Sequence, residues 1–253
     1  MTSVSALYCP LSAHWSPPPP SFLSISTVAT IVGYNTKNLE AGKWYLVAAG
    51  FQDTNGSSLS LNKFLTGLTA GVDATDSPTI QYWDGAQLKT LIYVDGVYDP
   101  DEDDFIVAWA DLGLELATVT PNPGFGCWIK VPTATSITIA GQVVAAETKD
   151  LSVTTAWQLV GNPYPISLDF NSTIMDCTAL TAGTDATDSP TIQYWDGTQL
   201  KTLIYVDGVY DPDEDDFIVA WADLGLEKSA TILDPCTGFW IKSPSAGTIT
   251  WKK

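Results

Sequence analysis

Residues Tyr93–Glu115 read YVDGVYDPDEDDFIVAWADLGLE, and residues Tyr205–Glu227 read the same without one change. Short apolar runs, ending in FIVAWA, are separated by Asp, Gly and Pro, which marks strands and turns rather than a helix. The second copy implies a duplicated unit. Aligning Trp83 with Trp195 sets an offset of 112 residues, at which Asp73–Glu115 match Asp185–Glu227 with a single difference, Ala86 against Thr198. Weaker matches carry the repeat outward: LTAG at 68–71 and 180–183, GFGCWIK at 124–130 against TGFWIK at 237–242, and VGYNTKNL at 32–39 against VAAETKDL at 144–151. A unit of about 112 residues can bury its own core and is too long for a solenoid repeat.

The expected architecture is all-β: two homologous tandem modules, sandwich-like or barrel-like, at 28–139 and 140–253, behind an extended Pro-rich arm at 1–27. The strands of module 1 are read in KWYLVAAGF, TIQYW, LKTLIYV, FIVAWADL, FGCWIKV and SITIAGQVV, with counterparts in module 2. Only SLSLNKFLTGL has helical spacing, with Leu61, Phe64, Leu65 and Leu68 on one side, so each module holds at most a short helix. Asp84-Gly85 and Asp95-Gly96 are both dipeptides that accept positive φ in tight hairpin turns. In FIVAW, Phe105, Val107 and Trp109 share one face and Ile106 and Ala108 the other. Both faces are apolar, which predicts a central strand covered on both sides.

The chain carries 11 basic and 29 acidic residues, a net charge of −18. Such a field repels nucleic acid and anionic lipid, so neither nucleic-acid binding nor membrane insertion is expected, and no apolar run approaches the ~18 residues of a spanning helix. The single histidine, His14, lies in the arm, which removes Ser-His or Cys-His machinery from the folded part. A carboxylate pair of the glycosidase type needs one carboxyl in a dry cleft, whereas Asp101-Glu102-Asp103-Asp104 reads as a solvated loop. The chain is therefore read as non-enzymatic. The start of the chain lacks the basic n-region and continuous apolar stretch of a secretory signal. A mis-assigned start, a replaced leader and an arm stiffened by four consecutive prolines all remain open.

Cys177 aligns with Leu65 and Cys236 with Gly124, so both are private to module 2, and a disulfide between them is expected. Cys9 and Cys127 have no evident mate and read as buried or free thiols, with a bridge from Cys9 to another subunit as the alternative.

Asp95, Asp99, Asp101 and Asp103, repeated as Asp207, Asp211, Asp213 and Asp215, suggest a site for calcium. The alternate acids resemble the first half of an EF-hand loop, but Asp104 stands where that loop needs Gly and Ala110 where it needs a bidentate Glu. Two readings stand: a hard cation held by the cluster, or a charged loop that keeps an exposed strand edge from pairing.

Val32-Gly33-Tyr34, the WQLVGNP run at 157–163, Tyr82-Trp83-Asp84-Gly85 with its copy Tyr194-Trp195-Asp196-Gly197, and Gly238-Phe239-Trp240-Ile241-Lys242 carry a resemblance. This order resembles β-rich repeat modules of poorly characterised bacterial secreted and cell-surface proteins. The resemblance covers most of the chain beyond residue 28 and implies an extracellular or cell-surface setting. It carries no catalytic residues, and module 1 departs from it with WYLVAAGF.

Two functions compete. In the first, the chain is a structural subunit whose partner is itself. Val28, Ile31, Val32 and Tyr34 form an assembly strand that adds to module 2 of the next copy, giving a head-to-tail filament. In the second it is an adhesin or carbohydrate-binding module for surface glycans, with Trp83 and Trp195, each just before an Asp-Gly turn, as stacking platforms.

Overall fold

A computed structural model describes residues 31–211 and 213–253. Nearly all of its regular structure is antiparallel β. Module 1 holds β1 (Val32–Leu39), β2 (Trp44–Ala48), the one-turn α1 (Leu61–Phe64), β3 (Thr79–Trp83), β4 (Leu88–Asp99), β5 (Asp104–Ala110), β6 (Gly126–Lys130) and β7 (Thr135–Gln142). Module 2 holds β8 (Thr148–Val153), β9 (Gln158–Gly161), β10 (Leu168–Asp169), β11 (Met175–Asp176), β12 (Thr191–Trp195), β13 (Leu200–Asp211), β14 (Asp216–Ala222), β15 (Ile232–Leu233), β16 (Gly238–Lys242) and β17 (Gly247–Lys252). The arm at 1–27 and Val28 lie outside the described residues. Because β7 runs on to Gln142, and Val143 still donates to Ile31 at 2.9 Å, module 1 ends a few residues later than 139.

Each module is a small sandwich. Its large sheet has five strands, ordered β2-β6-β3-β4-β5 in module 1 and β9-β16-β12-β13-β14 in module 2. The second layer pairs the first strand of the module with its last, β1 with β7 and β8 with β17. Between the layers of module 1 lie Val47, Ile80, Leu91, Trp109, Cys127 and Ile129 from the large sheet, against Ile137 and Ile139 from β7. The β-branched and aromatic residues of TIQYW suit this strand because both of its faces are covered: Ile80 and Tyr82 face the core, while Trp83 faces the other module.

Two expectations from the alternation are corrected. Asp84-Gly85 does turn the β3–β4 hairpin. Gly85 sits at φ 100°, and the Asp84 carboxylate accepts the backbone N–H groups of Ala86 and Gln87, both at 2.8 Å. Asp95-Gly96 does not turn the chain. It forms a β-bulge inside β4, where the register slips between Val94 and Val97 and Gly96 takes φ 85°. Nor is β5 central: it is the outer strand of its sheet, and Phe105 and Val107 are exposed. Its inner face closes a satellite cluster of Ile92, Val94, Val97, Ala108 and Ala110.

The modules meet through the second faces of their large sheets, with β2, β3 and β6 against β9, β12 and β16. The contact repeats itself about a pseudo-twofold axis. Trp83 packs edge-on against Trp240, and its counterpart Trp195 against Trp128, both at 6.1 Å. Ala48 N–H donates to the Cys236 carbonyl at 2.9 Å, and Gly161 N–H to the Gly124 carbonyl at 3.0 Å. Glycines let the backbones come this close: a Cβ on Gly126 would stand 2.9 Å from Val160 N, and one on Gly238 2.9 Å from the Val47 carbonyl. A Cβ on Gly161 would collide with Ala48 Cβ. Gly161→Ala should therefore cost about 1–3 kcal/mol in urea denaturation, and Ala48→Gly in the same chain should restore much of the loss; equal stability of Gly161→Ala and the parent would contradict this packing.

Candidate functional site

Three places could carry function: the acidic hairpin ends, the tryptophans of the interface, and a cleft between the modules.

The hairpins β4–β5 and β13–β14 extend each sheet away from the interface. Asp99 pairs with Asp104 across the end of the first, and the four intervening residues make the loop, the last of them, Asp103, at φ 54°. The carboxylates of the expected calcium site have local partners. Asp99 accepts the backbone N–H of Asp101 at 2.9 Å, and Asp103 accepts the Tyr98 hydroxyl at 2.7 Å. Asp95 sits on the bulge, four strand residues or roughly 13 Å before Asp99, and so does not join the tip. The second hairpin repeats these bonds from Asp211 to Asp213 and from Tyr210 to Asp215. Asp207 sits on the matching bulge, whereas Asp211 is buried and ion-paired with Lys228, the residue that replaces Leu116 of module 1. The Lys228 ammonium holds the Asp211 carboxyl below its ordinary range. Among the described residues, no three acidic, histidine or cysteine side chains converge as a metal cage would require.

Trp83 and Trp195 are half-buried rather than free platforms, each held by a tryptophan of the other module. The Trp83 indole N–H is buried and has no acceptor among the described residues.

The expected Cys177–Cys236 disulfide is absent. Cys127, Cys177 and Cys236 are all buried free thiols, and the expected pair lies in different cores, Cys177 in that of module 2 and Cys236 against that of module 1. Each has a local reason to be private to module 2. Cys177 Sγ accepts the Trp221 indole N–H at 3.5 Å, while the equivalent indole of Trp109, facing Leu65, has no acceptor. Cys236 points its sulfur at Gly50, whose added Cβ would stand 3.1 Å from it. Burial pushes both thiols up, Cys177 to about 12 and Cys236 to about 11.

The assembly strand is also used internally. Val32 and Tyr34 lie in β1 with their ladder filled by Gln142 and Ala140 of β7, and the Ile31 carbonyl accepts Val143 N–H. Among the described residues no strand passes between modules at the junction, where β8 closes on β17 of its own module, so the described junction offers no template for a strand donated to a neighbour. Instead β1 and β8 each send a lysine across the interface. Lys37 Nζ donates to Thr237 Oγ1, and Lys149 Nζ to the Pro123 carbonyl, both at 2.7 Å.

A cleft of about 500 Å³ opens where Lys37 and Tyr45 of module 1 face Trp195, Asp196, Asp234 and Thr237 of module 2. No motif in the sequence marked it, because its walls come from segments nearly 150 residues or more apart. The available signal lay in the differences between modules, foremost Thr237 standing where Phe125 stands in the other.

No helix among the described residues is long and apolar enough to cross a membrane. Comparison with family models, curated proteins and solved structures gives no match to the chain.

Trp83→Ala or Trp195→Ala should lower stability by about 1–3 kcal/mol, less than the truncation of a fully buried tryptophan, and thermal melting reads the loss; unchanged melting would return both rings to the surface. All three described thiols should resist Ellman's reagent at pH 8 in the folded protein and react once it is unfolded without reductant. A Cys177–Cys236 bridge would keep that pair silent in both states.

Proposed function

We propose that this chain is a non-enzymatic structural subunit that joins further copies of itself at both ends, edge to edge, in an extracellular or cell-surface setting. The observation that carries the proposal is the position of the repeated segment. The segment repeated between modules builds β3 and β12 at the interface and both outer hairpins, and the pseudo-twofold contact of the inner strands turns those hairpins away from each other. The molecule therefore ends twice in nearly the same surface, which differs where Lys228 replaces Leu116 beside Asp211 and where Asn171 bonds Trp221. At each end the outer strand pairs inward with β4 or β13, and the outward edge of its Asp104–Ala108 or Asp216–Ala220 half has no ladder partner among the described residues. The following loop covers only the other half, through Ala117 to Trp109 and Ser229 to Trp221. Beside that edge Phe105 and Phe217 are 67% and 68% exposed, each set edge-on against a tyrosine at 5.6 Å.

Antiparallel pairing centred on Ile106 would set Phe105 opposite Val107 of a neighbouring copy and carry the acidic tips to opposite ends of the ladder. Main-chain hydrogen bonds would supply the affinity. Two equivalent self-complementary ends make an open chain of subunits, so the expected head-to-tail order becomes end-to-end. The acidic tips then serve as guards against other registers and other strands. A divalent cation such as calcium would act by screening the charge of the tips, which this pairing holds apart, rather than by bridging them. The extracellular setting rests on the resemblance of the repeats and on the acidic surface; the three described cysteines, being unpaired, add nothing to it.

Sedimentation velocity of the full chain tests this. Association should grow with protein concentration and with salt, because copies of net charge −18 repel over a screening length of about 10 Å at 0.1 M. Phe105→Lys or Phe217→Lys alone should stop growth at dimers, and the double variant should stay monomeric. Parallel runs with calcium and with chelator read the cation's part. A wild-type chain that is monomeric at every concentration and salt, or single variants that assemble as well as the parent, would sink the proposal.

A further inference from the structure

We infer that the cleft between the modules is a binding site for a neutral saccharide, a function independent of end-to-end assembly. Its volume of about 500 Å³ lies in the range of small-molecule sites, about 300–1,000 Å³. Two kinds of surface line it. The rings of Tyr45 and Trp195 offer flat apolar walls from opposite modules, and flat walls suit the C–H faces of a pyranose ring. Between them stand hydroxyls, an ammonium and carboxylates. Thr237 Oγ1 is held by Lys37 at 2.7 Å, Thr231 Oγ1 shares a hydrogen bond with the Tyr194 hydroxyl at 2.8 Å, and Asp196 and Asp234 flank the opening. An ammonium has three donors, and the described bonds of Lys37 use one. A wholly apolar ligand would strip water from these groups without replacing it. An anion would meet two carboxylates and the net charge of −18. A ring with apolar faces and a hydroxyl rim satisfies both kinds of wall.

The pseudo-twofold counterpart of the cleft supplies the second, independent argument. There Phe125 takes the place of Thr237 and fills the space, 5.7 Å from Tyr82 and 6.2 Å from Phe64. Gln158 takes the place of Tyr45, and its amide is turned to Thr154 N–H at 2.8 Å and the Ser152 carbonyl at 3.1 Å. Asn122 takes the place of Asp234. Three of the differences between the two places thus open the cleft or add polar groups to it, ring to hydroxyl at Thr237, amide to phenol at Tyr45 and amide to carboxylate at Asp234, while Ile232 stands where module 1 has Thr120. Burial also holds the Lys37 ammonium below its ordinary value, so its free donors gain from a hydroxyl acceptor.

Module 1 supplies the blocking variant. Thr237→Phe copies the side chain that its sibling accommodates at the same place, and Asp234→Asn copies the second difference at an exposed position. Intrinsic tryptophan fluorescence and titration calorimetry of the full chain against galactose, mannose, N-acetylglucosamine and cellobiose give the readout. At least one sugar should saturate with a dissociation constant on the order of a millimolar, as expected for so few ligand atoms. Thr237→Phe should weaken it about tenfold or more while the chain still melts in one cooperative step, although the variant gives up the hydrogen bond from Lys37, and Asp234→Asn should weaken it several-fold at an unchanged melting temperature. Should Thr237→Phe not fold, Asp234→Asn alone decides. Failure of every sugar to saturate, or binding that survives both substitutions undiminished, overturns the inference.

Discussion

The contact on which the rest of this structure depends is the one between the two large sheets, made by Trp83 on Trp240 and by Trp128 on Trp195. A sheet that is apolar on both faces cannot stop at one sandwich, since its second face must also be taken out of water. Duplication solves this by giving the second face a copy of itself to cover. Gly126, Gly161 and Gly238 remove the side chains that would hold the backbones apart, so that hydrogen bonds run directly from one module to the other. Everything outside that contact follows from its symmetry: which strands are inner, which hairpins are outer, and why a cleft can form beside the axis where the two halves differ.

Much of this was written in the residues. The offset between Trp83 and Trp195 revealed the two modules, and period-2 alternation located the strands of both large sheets. The alternation could not say which strand lies at an edge. Phe105 and Val107 are as apolar as core residues, and their exposure is decided by sheet order, a non-local property. Nor could an Asp-Gly pair reveal whether it turns the chain or bulges it. At Asp84 the carboxylate caps two backbone N–H groups and the chain reverses, whereas at Asp95 the strand continues past the glycine. The cysteines misled for a related reason. Two singletons in one module resemble a bridge, but the sulfur of Cys177 answers an indole N–H that module 1 leaves without an acceptor.

The places where the modules disagree are more informative than those where they match. Lys228 for Leu116 gives buried Asp211 a counter-ion that Asp99, half-exposed in the same sequence, does without. Thr237 for Phe125 exchanges a packed ring for an opening. Both changes lie just outside the identical segment, so the same 43 residues from Asp73 to Glu115 fold in two electrostatic settings chosen by their flanks.

That identity has a kinetic consequence. During folding, β3–β4–β5 and β12–β13–β14 are nearly interchangeable pieces, and either can dock onto the β2–β6 or the β9–β16 framework with the same side chains facing inward. Mispairing between neighbouring repeats is a characteristic failure of such chains. The correct choice is left to chain order and to the few residues that differ, among them Lys228 and Cys177. A chain emerging N-terminus first completes module 1 before its rival hairpin exists, so vectorial synthesis removes an ambiguity that refolding from denaturant restores.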